Sequence, residues 1–157
     1  MIEYFRHEAM NQATVISGFC EIIGNLIAAP EVTVDESFPP LLQKIRELIL
    51  TFHETLMMFR DECTLENSSE EVLFSADATG DFTRFLSPGC SMHYAALRDI
   101  VKVLAGTVQS IDPVSIGSDK IITRFQFITE SITRLTDLLE NPVGYLQNMI
   151  RTNQPQS

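Results

Sequence analysis

The sequence predicts an all-α protein built on a four-helix bundle. Two observations carry that prediction. Four long segments place apolar residues at alternating steps of three and four, the spacing that lines one face of a helix. Proline- and glycine-bearing breaks separate those segments, as connections between helices require. A third observation bounds the class. Of the 157 residues, 45% are hydrophobic and 20% charged, a globular rather than a disordered composition.

The first helix is expected over residues 2–28. Its main stripe is Ala9, Ala13, Ile16, Cys20, Ile23 and Ile27, with a second row of Val15, Phe19, Ile22 and Leu26. Two adjacent rows make a wide face that asks for more than one neighbour. Residues 29–40 hold Pro30, Pro39 and Pro40 among acidic residues and read as a loop. The second helix is expected over 40–65, with Pro40 in its first turn and the stripe Leu42, Ile45, Ile49, Phe52, Leu56, Phe59 and Cys63. Helices one and two thus form an antiparallel hairpin.

Residues 66–89 connect, either as a small β-hairpin around Ala78-Thr79-Gly80-Asp81 or as loop with one short helix. Short apolar runs do not separate these by period. The third helix is expected over 91–111, with Leu97, Val101, Leu104, Val108 and Ile111 on one stripe, and Asp112-Pro113 ends it. The fourth starts at Ser118 as N-cap and carries Ile121, Phe125, Ile128, Ile132, Leu135 and Leu139 at heptad-like spacing until Asn141-Pro142. A short last turn over 143–151 packs back, and the tail frays. The chain therefore divides into a helical hairpin (1–65), a connecting segment (66–89) and a C-terminal helical pair with tail (90–157). Val15 to Gly18 and Val103 to Gly106 share a Val-aliphatic-small-Gly string. The flanking sequences do not align, so no internal repeat is read.

Charge and composition exclude several functions. The net charge of −10 repels phosphate backbones and anionic membranes, so neither nucleic acid nor membrane is an expected partner. No apolar run approaches the ~20 residues of a membrane span. The N-terminus lacks the order of a signal peptide, so a cytoplasmic location is expected. Cys20, Cys63 and Cys90 are far apart and odd in number, against a disulfide framework or a zinc site. Cys20 and Cys63 fall on apolar stripes and read as buried small hydrophobes. A zincin motif fails because Asn11 stands where the second histidine would be. His53 reads as a surface or boundary residue, and His93 as a partly buried one.

The opposite face of the first helix is polar. His7, Asn11, Thr14, Gly18, Glu21 and Asn25 recur at steps of four and three, roughly 200° round from Ile16 at ~100° per residue. His7 should face solvent, with Asn11 one turn on and Glu8 beside it. An exposed neutral imidazole is a nucleophile for phosphorus. A neighbouring carboxylate can hold its second N–H, and an amide one turn away can position water.

The string from Phe5 to Ile22, with His7-Glu8, Asn11, Val15-Ile16, Gly18-Phe19 and Glu21-Ile22, resembles the H-box of two-component histidine kinases. The second helix, ending in Met57-Met58-Phe59-Arg60-Asp61, resembles the second helix of their dimerisation and phosphotransfer domain. The resemblance implies His7 as phosphoacceptor, Glu8 as acid/base partner and Asn11 as the residue that orients water in dephosphorylating a response regulator. It departs in two places. Gln12 replaces the usual proline, and Arg6 the usual small residue before the histidine. No glycine-rich nucleotide box is present, so autokinase activity is not expected. The implied function is a histidine phosphotransfer or regulator-phosphatase component of two-component signalling. The alternative is a non-catalytic adaptor that binds a histidine kinase or receiver. No cofactor is expected in this chain, since Mg²⁺ would belong to a receiver-domain partner. The bundle forms within one chain or by pairing two hairpins, and a homodimer is the favoured expectation.

Overall fold

Amphipathic periodicity converts into helices with little residue-by-residue ambiguity. In the computed structural model, which describes residues 2–66 and 91–153, every stripe read above lies on a helix except for Ile111, which follows the end of the third helix. These are α1 (Ile2–Ile27), α2 (Phe38–Glu66), α3 (Met92–Gln109), α4 (Asp119–Glu140) and α5 (Pro142–Asn153), with a 3-10 turn at Pro113–Ile116. The expected β-hairpin or short helix around Ala78 lies outside the described residues.

The helix ends have local causes. α2 begins at Phe38, so Pro39 and Pro40 both occupy its first turn, where backbone N–H groups need no helical partner. The Ser91 hydroxyl accepts the backbone N–H of Tyr94 at 3.1 Å and caps α3. Asp112 caps the 3-10 turn through Val114 N–H at 3.1 Å. Gly117 follows with φ 90°, a conformation that favours glycine. Asn141 closes α4 and opens α5, its side chain accepting from Gly144 N–H at 3.3 Å. The short last turn expected over 143–151 is therefore a full helix.

The four long helices run up, down, up and down. Glu62 near the end of α2 meets Ser91 at the start of α3, and Phe19 of α1 stacks on Phe127 of α4. Each long helix packs on two neighbours in the cycle α1–α2–α3–α4–α1, and α5 packs on α4 and α1. The second hairpin thus lies against the first inside one chain. All the stripes share one core, with Ile16, Cys20, Ile45, Phe52, Leu56, Cys63, Leu97, Leu104, Ile128 and Leu135 at zero exposure. Burying each large apolar side chain is worth roughly 1.5–3 kcal/mol. Their sum, rather than helix propensity, holds the fold.

The second row of α1 is covered only in part. Phe19 and Leu26 are half-buried against the core, while Val15 and Ile22 stay 37% and 43% exposed. No described helix is long and apolar enough to cross a membrane.

Candidate functional site

The polar stripe lies where helical geometry puts it. His7, Asn11, Thr14, Gly18, Glu21 and Asn25 are all exposed, on the side of α1 opposite the buried Ala9, Ala13, Ile16 and Cys20. His7 and Asn11 are one turn apart on that open surface. Glu8 is half-buried and offset around the helix, as a step of ~100° requires.

Two neighbours define the surroundings of His7. Arg6 Nη2 lies 3.3 Å from His7 Nε2. A guanidinium only donates, so in this contact the Nε2 lone pair is the acceptor and the imidazole carries its proton on Nδ1. Arg6 is itself held by Glu3, Nε to Oε2 at 2.9 Å. The other Glu3 oxygen takes Arg60 Nε of α2 at 2.9 Å. Glu3 is only 3% exposed. Burial alone would raise its pKa, but hydrogen bonds and charge from Arg6 and Arg60 outweigh that and hold it below the ordinary carboxylate value. The result is a clamped Arg6 beside the ring nitrogen, with α1 tied to α2 beneath it.

Glu8 is engaged elsewhere. Its Oε1 accepts from Gln12 Nε2 at 2.7 Å and from the Tyr145 hydroxyl of α5 at 3.3 Å. Burial, and then the charge of Glu8, push the Tyr145 phenol up to about 12, so it remains a donor at neutral pH. Gln12 is 8% exposed, and its amide oxygen has no hydrogen-bond partner among the described residues. Gln12 thus ties down the carboxylate next to His7. Of the three residues picked out by the motif, His7 and Asn11 share a surface, whereas Glu8 points into the α1–α5 contact.

Arg6, Glu3, Arg60, Gln12 and Tyr145 join the site from outside the motif. The Glu3–Arg6 pair is legible as an i, i+3 spacing. Arg60 and Tyr145 are brought in by tertiary packing from 57 and 137 residues away in sequence. The other histidines are remote from this constellation in kind. His53 is exposed on α2. His93 is half-buried, 3.9 Å from Glu62. Cys20 and Cys63 are buried, and burial raises the Cys20 thiol to about 12, which keeps it an inert packing group. Among the described residues no cluster of three or more His, Cys, Asp or Glu could hold a metal ion.

No family model, curated protein or solved structure matches the chain.

Proposed function

We propose that the chain is a phosphate carrier of two-component signalling, exchanging a phosphoryl group between His7 and the aspartate of a receiver domain. The observation that carries this reading is the pairing of an exposed His7, its Nε2 beside a clamped Arg6, with an exposed Asn11 one turn on. In the step toward this chain, Nε2 attacks phosphorus. The P–N bond forms as the P–O bond to the receiver aspartate breaks. The electron pair leaves with the aspartate carboxylate, and the Nδ1 proton is released to solvent or a base. Arg6 leaves the Nε2 lone pair as the attack begins and pairs instead with the phosphoryl oxygens, a charge-assisted pairing worth more than the one it gives up. Asn11 on the same face orients water for hydrolysis. The receiver supplies the Mg²⁺ and the second reacting group. A cytoplasmic location goes with this reading.

One observation favours a second reading, that of an adaptor which binds a receiver or kinase without transfer. Glu8, the acid/base partner implied by the motif, is held by Gln12 and Tyr145 rather than by His7. Incubation with a phosphorylated receiver separates the two. The carrier reading predicts acid-labile label on the chain, lost in His7→Gln, and a changed rate of receiver dephosphorylation in Asn11→Ala. Receiver binding with no label, and with both variants like wild type, leaves the adaptor.

A further inference from the structure

We infer that the cleft between α3 and α4 is a binding site for a small amphiphilic carboxylate, its head held by Arg98 and Lys102 and its aliphatic chain laid along the groove between the two helices. None of the residues that would hold this ligand belongs to the His7 constellation, so the inference stands apart from the phosphate-carrier reading.

The observation that carries it is an arginine without a partner. Among the described residues four arginines are half-buried, Arg6, Arg60, Arg98 and Arg124. Arg6 and Arg60 pair with Glu3, and Arg124 donates to the Lys120 carbonyl at 3.0 Å. Arg98 makes neither a hydrogen bond nor an ion pair among the described residues. A guanidinium drawn partly out of water with no counter-charge is unfavourable, and its planar fork fits a carboxylate. Arg98 leans inward. Burial raises the Tyr94 phenol to about 12 against the opposing charge of Arg98, and the Tyr94 hydroxyl donates to the Leu139 carbonyl. The guanidinium therefore stands at the end of the cleft where α3 is tied to α4. Lys102, one turn on, is exposed on the same wall.

The shape and lining suit an extended hydrocarbon. The cleft has a volume of 220 Å³ and is walled by Val101, Ala105 and Gly106 on α3 and by Thr136 and Leu139 on α4. It continues past Ala105 and Thr136 into a second cleft of 190 Å³ beside Val108 and Ile132. From Arg98 to Val108 the groove runs roughly 15 Å at 1.5 Å per residue. Each volume is below the ~300–1,000 Å³ of sites for compact drug-sized molecules, so a narrow chain fits better than a ring system. Gly106 keeps the cleft open, since a Cβ added there would meet nothing within 4 Å. The hydroxyl protons of Thr129, Thr133 and Thr136 go to the carbonyls of Phe125, Thr129 and Ile132. The α4 wall thus brings its threonine methyls without a free hydroxyl donor.

Charge selects the head group. Arg98 and Lys102 on α3 stand across from Glu140 on α4. Glu140 and Asp137 are exposed, on the ridge shared with the cleft against α5, so solvent screens them more than it screens half-buried Arg98. Two cations against that background favour a monoanion over a dianionic phosphate, in a chain whose net charge is −10. Grooves between helices are general to bundles, but an unpaired half-buried cation in one is not. The cleft between α1 and α2 offers Glu21 and His53 with no lysine or arginine. The one between α4 and α5 offers Asp137 and Glu140 with no cation. Between α1 and α4 the Phe19–Phe127 stack bridges the helices.

Titration of the full chain with octanoate, followed in amide proton–nitrogen correlation spectra, tests this. Saturable shifts are expected at residues 98–109 and 133–140, and not with octanol or octylammonium at the same concentration. No saturable shift, shifts centred on another cleft, or an equal response to all three amphiphiles overturns the inference. Arg98→Gln should weaken octanoate about tenfold, the value of one charge-assisted pairing. It leaves no partner unsatisfied, so the fold is kept. Lys102→Gln, at an exposed cation, should weaken binding about twofold. Gly106→Leu fills the cleft from an open helical position, raises helix propensity and should abolish binding with helicity intact. Arg98→Gln or Gly106→Leu that is folded and binds octanoate like wild type overturns the site. Octanoate binding is read without phosphorylation, so its failure leaves the His7 reading standing, and failure of that reading leaves this one standing.

Discussion

The two ends of the bundle are built from the same aromatic core but finished differently. At the far end Phe38 packs on Phe125 and Phe19 stacks on Phe127, beside the tight turn at Gly117. At the His7 end Phe5, Phe59 and Tyr94 form a comparable aromatic cluster. Around that cluster, however, stand the Glu3–Arg6–Arg60 pairings, the Glu8–Gln12–Tyr145 contacts, and Glu62 with Ser91. Apolar packing alone suffices to close a bundle end, so the polar cost borne at the His7 end calls for another purpose. Holding a cation beside an exposed imidazole is one that the geometry meets.

Substitutions that separate packing from polar chemistry sharpen the contrast. The largest effect belongs to the core and should be alike at both ends. Phe59→Ala and Phe125→Ala, each emptying a buried aromatic site, should each lower unfolding free energy by about 3–5 kcal/mol in denaturant titration. A large inequality between them breaks the claim of a common core.

Next comes Glu3→Gln, which has no far-end equivalent. Breaking a buried ion pair costs ~3–5 kcal/mol. Arg6 and Arg60 are 20% and 34% exposed, so solvent screening reduces the expected loss to about 1–2 kcal/mol. The folded pKa of Glu3 is depressed, so its contribution is present above the unfolded value of 4.5. It is lost as pH falls through the lower folded value. The stability gap between wild type and Glu3→Gln should therefore be full at neutral pH and close on acidification below about 4.5. A gap that persists unchanged in acid refutes the assignment.

Smaller still is Tyr145→Phe. It removes one donor from Glu8 across the α1–α5 contact and should cost about 0.5–1.5 kcal/mol. The carrier reading adds that the transfer rate changes as Glu8 is released, while the rate in Phe127→Leu, at the opposite end, does not. His7→Gln should be the mildest for the fold, within about 0.5 kcal/mol of wild type, as for other exposed positions.

Much of the architecture is legible in the sequence, because a three-four stripe and a proline-marked break are local signals. Leu42 to Cys63 and Ile121 to Leu139 read as core on spacing alone and are core. The exposed run His7, Asn11, Thr14, Gly18, Glu21, Asn25 reads equally well, since it follows from the phase of the same helix. Tertiary relations are not legible. Residues 143–151 are too short a stretch for their period to announce a full helix, which forms because Asn141 caps it and Leu146 is buried against the core. The tether between Tyr145 and Glu8 spans 137 residues of sequence.

Exposure alone does not make a histidine an acceptor, and the protein supplies its own control. His7 and His53 are both exposed on bundle helices, but only His7 has a clamped arginine at its ring nitrogen. The decisive measurement is site-resolved mass spectrometry of the wild-type chain after incubation with a phosphorylated receiver, read under conditions that preserve P–N bonds. The account predicts phosphate on His7 and none on His53 or His93. Equal labelling of His7 and His53, or label that survives intact in His7→Gln, would contradict it.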